Sequence, residues 1–405
     1  MSAQIWKCDA VALSEQLSDG HITPVEILEH FLGRIEKLNQ TLNAVICLNG
    51  QAEADARASA DRRAAKKPKS QIDGIPILIK DNLIVRGMPA TWGSRLYQDR
   101  VSRNDEIPVE KLRRAGAIII GKTNVPEFTV EGYTDNKLFG VTPNPWNLAV
   151  TPGGSSGGSV SAVAAGLIPM SIGTDGGGSI RRPAAYTNLV GLKTTIGRIP
   201  RGGGLPQLLL DMEVVGPITR SVRDQALLFD VLAQPDTRDH RSLRFSGASS
   251  LDKLFVPPNE LRILAVERFG NAPLDPAISA SFQQMTSSLK SMGHKVTTGQ
   301  LPLDIKQINE HWASIGSIGL ALLLQREPKM RELASSNYVE WADTSYTAAH
   351  LLQITEIISG LRNQAAQVFA DVDIIMTPSC AAMPWSTTIP FPPEIDSQPV
   401  GPRGS

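Results

Sequence analysis

The chain has 405 residues, 41% of them hydrophobic and 20% charged, and its 40 basic and 40 acidic side chains cancel to a formal net charge of zero. That composition supplies a large core and argues against a nucleic-acid or anionic-surface partner. Three distant cysteines (Cys8, Cys47, Cys380) form no CxxC pair, residues 1–9 carry no apolar leader core and no run approaches a membrane span, so neither a zinc site nor a disulfide framework is expected and a reducing cytoplasm fits.

Thr23-Pro24-Val25-Glu26 reads as a helix start, with a capping threonine, a first-turn proline and Glu26 closing a capping box. Ile27, Leu28, Phe31, Ile35 and Leu38 follow at helical spacing. An alanine-rich helix is predicted over 51–66, and the basic run 62–69 is its solvated end. From Ile75 short apolar runs (77–79, 117–120, 167–172) alternate with helical patterns (106–114, 159–165). Such alternation predicts an α/β fold with a mixed or mostly parallel sheet surrounded by helices. Beyond Ser221 come a helix over 222–232, a polar loop to 258, a strand over 261–266, helices over 276–292 and 348–369, and a strand over 374–376. Residues 385–405, rich in proline and glycine, read as a loosely ordered tail. No linker divides the chain, so 1–405 is expected to be one domain.

Three patterns compete for the chemistry. The run from Gly116 to Thr123 matches a GxxxxGK[ST] phosphate loop by letter, but its variable positions are Ala-Ile-Ile-Ile, a buried strand, and Asn124 and Pro126 turn the chain away from a helix. Gly154-Ser155-Ser156-Gly157-Gly158 matches a GxSxG elbow, yet no clean strand precedes it and no histidine follows His350. The third pattern is a pair of glycine-serine stretches, 153–159 and 173–181, with Lys80 upstream. Together they offer a nucleophile, a proton relay and a base without histidine. A serine hydroxyl is a weak nucleophile until a base takes its proton. Lysine serves only when neutral, and burial lowers a lysine pKa by up to about 3–5 units. Ile75, Ile77, Leu78 and Ile79 supply the apolar setting, while Asp81 is expected to push the other way.

These stretches, in this order and spacing, resemble the amidase signature family, with its GGSSGGS and GTD-x-GGSIR segments and upstream lysine. Gly121-Lys122-Thr123-Asn124, Asn144-Pro145-Trp146, Gly191-Leu192-Lys193 and Gly216-Pro217-Ile218 resemble it too. The likeness is close over residues 5–230, with 75–220 as the signature core. It implies a Ser-cisSer-Lys arrangement: Ser179 the acyl-enzyme nucleophile, Ser155 the bridging serine after a cis bond from Gly154, and Lys80 the base. It implies an oxyanion hole from the N–H groups of Gly176, Gly177, Gly178 and Ser179, where losing one donor typically costs about 3–4 kcal/mol. Gly176 stands where the family carries a bulkier residue, and Arg182 where an apolar one is usual. Arg182 is expected to line the pocket and favour a carboxylate-bearing substrate, and Thr129 to contribute to the acyl pocket.

The resemblance implies an amidohydrolase cleaving the C–N bond of an amide, carbamate or related substrate, extending to esters, with no metal or organic cofactor. Its partners would be the small-molecule substrate and at most a second copy of the chain, not nucleic acid or membrane. Family members continue past the equivalent of Thr377-Pro378, so the C-terminal part reads as shortened. Two alternatives follow: a glutaminase-type subunit of an amidotransferase complex, and an inactive truncated scaffold.

Overall fold

In the computed structural model, which describes residues 2–402, α1 (Ala10–Ser18) and α2 (Pro24–Leu42) begin at side-chain caps. Asp9 accepts from the Ala12 N–H, and Thr23 with Glu26 forms the complete capping box. There follow β1 (Val45–Leu48), α3 (Ala52–Ala64), β2 (Pro76–Lys80), α4 (Ile107–Arg114), β3 (Ile118–Thr123), α5 (Gly157–Ala164), β4 (Met170–Asp175), α6 (Arg181–Tyr186), β5 (Val190–Gly191), β6 (Val214–Thr219) and α7 (Val222–Leu232). The six strands lie in the order β1-β3-β2-β4-β6-β5. β2 runs parallel to both β3 and β4, whereas β1 and β6 run antiparallel to their neighbours. The sheet is mixed, within the α/β class the sequence implies.

Strand alternation builds a core on each face. Ile77, Ile79, Ile119, Met170 and Ile172 pack with residues of α1, α4 and α7. Leu78, Ile118, Ile120 and Ile218 pack with residues of α3 and α5. Lys80, two residues after Leu78, falls by the same period on the α5 side.

Three strands of this sheet, β1, β5 and β6, have no counterpart in the sequence reading. β6 contains Gly216-Pro217, and a proline inside a run argues against a strand. Here Pro217 stands opposite Ile172, and its carbonyl accepts from the Leu192 N–H at 3.2 Å and from Gln225 Nε2 at 3.1 Å.

The contacts divide the chain into two compact units. The first holds the residues up to 207, 211–255 and 386–390, and so contains the six-stranded sheet. The second comprises 208–210, 256–385 and 391 onward. It contains β7 (Arg262–Ala265), α8 (Pro276–Ser291), β8 (Lys295–Thr298), α9 (Lys306–Arg326), α10 (Met330–Leu333), α11 (Ser336–Ala342), α12 (Ala348–Asp371), β9 (Ile374–Met376), β10 (Glu394–Ile395) and β11 (Gln398–Pro399). β7 is flanked in parallel by β8 and β9. α9 has no counterpart in the expectation, because Gly316 and Gly319 dilute its helical signal. In the tail read as loosely ordered, β10 and β11 pair as an antiparallel hairpin with Ile395 buried; residues 403–405 lie outside the described residues. Among the described residues no helix is long and apolar enough to cross a membrane.

Candidate active site

Lys80 ends β2 and Asp175 ends β4. The site therefore gathers at the C-terminal ends of parallel strands, where open α/β sheets bind ligands. Lys80 is fully buried, and its Nζ lies 2.8 Å from Ser155 Oγ, 2.9 Å from Thr174 Oγ1 and 3.2 Å from the Thr174 carbonyl. Burial is the largest influence on this amine and lowers its pKa from 10.5 to about 7. Glu213 and Asp175 oppose the shift, and Arg201 adds to it. The influence expected of Asp81 needs correction. Its carboxylate turns away to Lys122 Nζ, 3.1 Å off, and to the Thr91 hydroxyl. Successive side chains of an extended segment point to opposite sides, so Asp81 and Lys80 serve different partners.

Ser155 is buried, and the peptide bond joining it to Gly154 is cis. Gly154 has no room for a side chain, since a Cβ there would lie 2.6 Å from the Tyr133 carbonyl oxygen. Ser156, the serine of the apparent elbow, is fully buried, and its Oγ reaches the Thr174 carbonyl at 3.4 Å. Its N–H donates to the Ser179 carbonyl at 3.2 Å, which joins the two glycine-serine stretches. Ser179 itself is half-buried at the start of the turn into α6. The phosphate-loop look-alike is β3, buried along its length, with Lys122 committed to Asp81.

Asp175 organises the loop that carries Ser179. Its carboxylate accepts the N–H groups of Gly178, Ile180 and Arg181 at 2.8, 3.1 and 3.2 Å, and takes the Arg181 guanidinium in a two-point fork, each arm 2.9 Å. Burial pushes this carboxyl up, but Arg181 and the N–H donors outweigh it and hold the pKa at about 2. Of the four N–H groups expected to form an oxyanion hole, that of Gly178 donates to Asp175 Oδ1 at 2.8 Å.

The two expected substrate-binding residues differ in placement. Arg182 Nη2 lies 3.3 Å from the Gly177 carbonyl, beside the triple-glycine loop. Thr129 is buried in a left-handed backbone conformation (φ 58°), and its Oγ1 accepts from Trp92 Nε1 at 3.0 Å and donates to the Phe128 carbonyl at 2.6 Å. That engages its hydroxyl with Trp92 and Phe128 rather than with Lys80, Ser155 or Ser179. Sequence reasoning missed a further layer altogether. Asn82 Nδ2 donates to Thr174 Oγ1 at 2.9 Å and to Glu213 Oε1 at 3.1 Å, and Arg201 joins Glu213 to Glu106 at 2.5 and 2.7 Å. No local motif flags these residues; only the Asn beside Lys80-Asp81 offered a signal. Among the described residues, no group of three or more His, Cys, Asp or Glu side chains is placed to hold a metal.

Comparison with known proteins places the chain in a family. A family model described as Amidase matches residues 26–398. One curated relative, a glutamyl-tRNA(Gln) amidotransferase subunit of Synechococcus sp. (strain CC9605), is 39% identical over 293 residues, 72% of this chain and 60% of that protein. The same subunit of Coxiella burnetii (strain Dugway 5J108-111) is 38% identical over 291 residues, again 72% and 60%. The chain thus spans about three fifths of the length of these curated relatives. Among solved structures, a bacterial aryl acylamidase of the amidase signature family superposes with a TM-score of 0.91 at 28% identity, covering 98% of this chain and 85% of that one. A peptide amidase from Stenotrophomonas maltophilia gives 0.82 at 25% identity, covering 95% and 86%. With the family model spanning nearly the whole chain and the fold shared with these enzymes, the protein belongs to the amidase signature family.

Proposed function

We propose that the protein is a serine amidohydrolase that cleaves the C–N bond of an amide, carbamate or related substrate through an acyl-Ser179 intermediate. The observation that carries this reading is a fully buried lysine with a pKa near 7, 2.8 Å from the Ser155 hydroxyl. Neutral Lys80 accepts the Ser155 proton, Ser155 accepts the Ser179 proton, and Ser179 Oγ bonds to the acyl carbon. The N–H groups of Gly176, Gly177 and Ser179 face the oxygen that becomes negative. On collapse the C–N bond breaks, and the proton returns from Lys80 through Ser155 to the leaving nitrogen. A water then repeats the cycle on the acyl-serine. Esters enter by the same route. Arg182, beside the loop, gives the pocket a cation suited to a carboxylate-bearing substrate.

The names of the curated relatives favour a second reading, in which glutamine is the amide and ammonia is passed to a partner. One experiment addresses both. The purified chain is incubated with neutral and carboxylate-bearing amides, carbamates, esters and glutamine, and with a serine-directed fluorophosphonate. The expected result is turnover, with a single mass adduct that maps to Ser179 and is lost in Ser179→Ala. Faster turnover of the anionic amides, reduced by Arg182→Ala, supports the role of Arg182; selective turnover of glutamine supports the second reading. A folded sample with neither adduct nor turnover sinks the hydrolase reading.

A further inference from the structure

Around Lys80 and Arg201, three carboxylates each have a cation of their own. Asp81 has Lys122 at 3.1 Å, Asp175 has the Arg181 fork, and Asp239 has Arg241 at 3.1 Å. Glu106 and Glu213 share a single guanidinium, that of Arg201, at 2.7 and 2.5 Å. All three are buried or nearly so, with the Arg201 and Glu213 side chains 7% and 10% exposed. Two carboxylates against one guanidinium leave this cluster one negative charge in excess. Protonated Lys80 supplies the balancing charge.

A continuous path links the two. Glu213 Oε1 accepts from Asn82 Nδ2, the same nitrogen donates to Thr174 Oγ1, and that oxygen accepts from Lys80 Nζ. A carboxylate can only accept, so it fixes the nitrogen end of the Asn82 amide toward this path. The other end, Asn82 Oδ1, is buried without a hydrogen-bond partner. The amide thus leaves its own oxygen unsatisfied while both N–H groups serve Glu213 and Thr174. Of the groups that raise the Lys80 pKa, Glu213 is the strongest.

We propose that Glu213 is the counter-charge of Lys80: a positioning residue that stabilises the lysine cation formed as the base takes its proton, joined to it by Asn82 and Thr174. The proposal rests on Lys80 being the base. A buried ammonium with no opposite charge is costly, so an anion placed in advance lowers the barrier at the moment the proton arrives. Glu213 acts through Lys80 and has no assigned contact with substrate.

Glu213→Gln removes the charge and keeps the shape. Its kcat/KM is expected to fall on the order of 10-fold or more. The acidic limb of its pH profile should move to lower pH by about 1 unit, because the ammonium form loses its counter-charge. Glu213→Asp, which keeps the charge, should return the limb toward its original position; a purely structural role would not. A Glu213→Gln profile with an unmoved limb overturns the proposal. Should that variant fail to fold, Asn82→Leu carries the test, since it retains every charge and cuts the path. It is expected to lose about 10-fold in kcat and to move the limb to lower pH by less than Glu213→Gln does, and an unmoved limb overturns the proposal. Lys80→Met is measured alongside. Full activity there removes the lysine base itself, a failure distinct from that of Glu213.

Discussion

Lys80 combines two properties seldom found together: it is fully enclosed, and a hydroxyl waits 2.8 Å from its amine. With its pKa brought to about 7, the amine is neutral above that pH and charged below it. The sign of the pH dependence follows. kcat/KM should rise with pH through about 7, and Lys80→Met, which keeps the bulk but not the amine, should cost on the order of 100-fold or more. A pH–rate series from 5 to 9 on the wild type checks this; a flat profile across about pH 6–8 contradicts it. Substitution of any single histidine should cost far less. Lys80, Ser155 and Ser179 could be proposed from the sequence because each sits inside a contiguous run of unusual residues. Glu213 could not: it lies 131 positions from Asn82, in Asp211-Met212-Glu213-Val214, where nothing local distinguishes it from a surface acid. Charge balance in a buried cluster is a property of the folded arrangement, and periodicity cannot report it.

At the level of elements, α5 explains why the first stretch is so rich in glycine. A Cβ on Gly158 would come within 2.6 Å of the Asn124 carbonyl oxygen and 2.7 Å of that of Ala44, both backbone atoms with no room to yield. The first turn of α5 is therefore pressed against the chain leaving β3 and entering β1, and Ser155 is delivered to Lys80 by that close approach. Gly158→Ala should destabilise the fold by about 1–3 kcal/mol in urea unfolding, and lower activity beyond the loss of folded protein. Unchanged stability would remove this account of the glycine. Most elements here were legible from caps and periodicity, and α7 matches its expected bounds, Val222–Leu232. β6 and α9 are two of those that were not, each for a local reason: a proline inside a strand, and two glycines inside a helix. In both, tertiary contacts override the local preference.

Across the molecule, the first unit is closed by a contact spanning more than 200 positions. Asp224 on α7 accepts the Ala10 and Val11 N–H groups at the start of α1, at 2.9 and 3.0 Å. Burial, the largest influence, raises its pKa from 3.8 to about 6; Asp9 adds to the rise, while the two N–H donors and Arg220 oppose it. The fold thus favours the neutral carboxyl. That contribution is complete below about pH 4 and is lost as pH rises through 6, a swing on the order of 3 kcal/mol. Asp224→Asn, permanently neutral, should therefore gain in Tm relative to the wild type between about pH 4 and pH 7. A Tm difference that does not change with pH would contradict this. Such a closure between the two ends of the unit has no trace in local sequence pattern. The clasp at Asp175 sits at the other end of the same pH scale. Its carboxyl ionises at about 2 and the base at about 7, so five pH units separate the event that would release the nucleophile's loop from the one that silences the lysine. On the proposed mechanism, mild acid should then act as a chemical quench that spares the architecture: an acyl-Ser179 formed at neutral pH and dropped to about pH 5 is expected to keep its loop clasped while Lys80, the proposed base, is protonated.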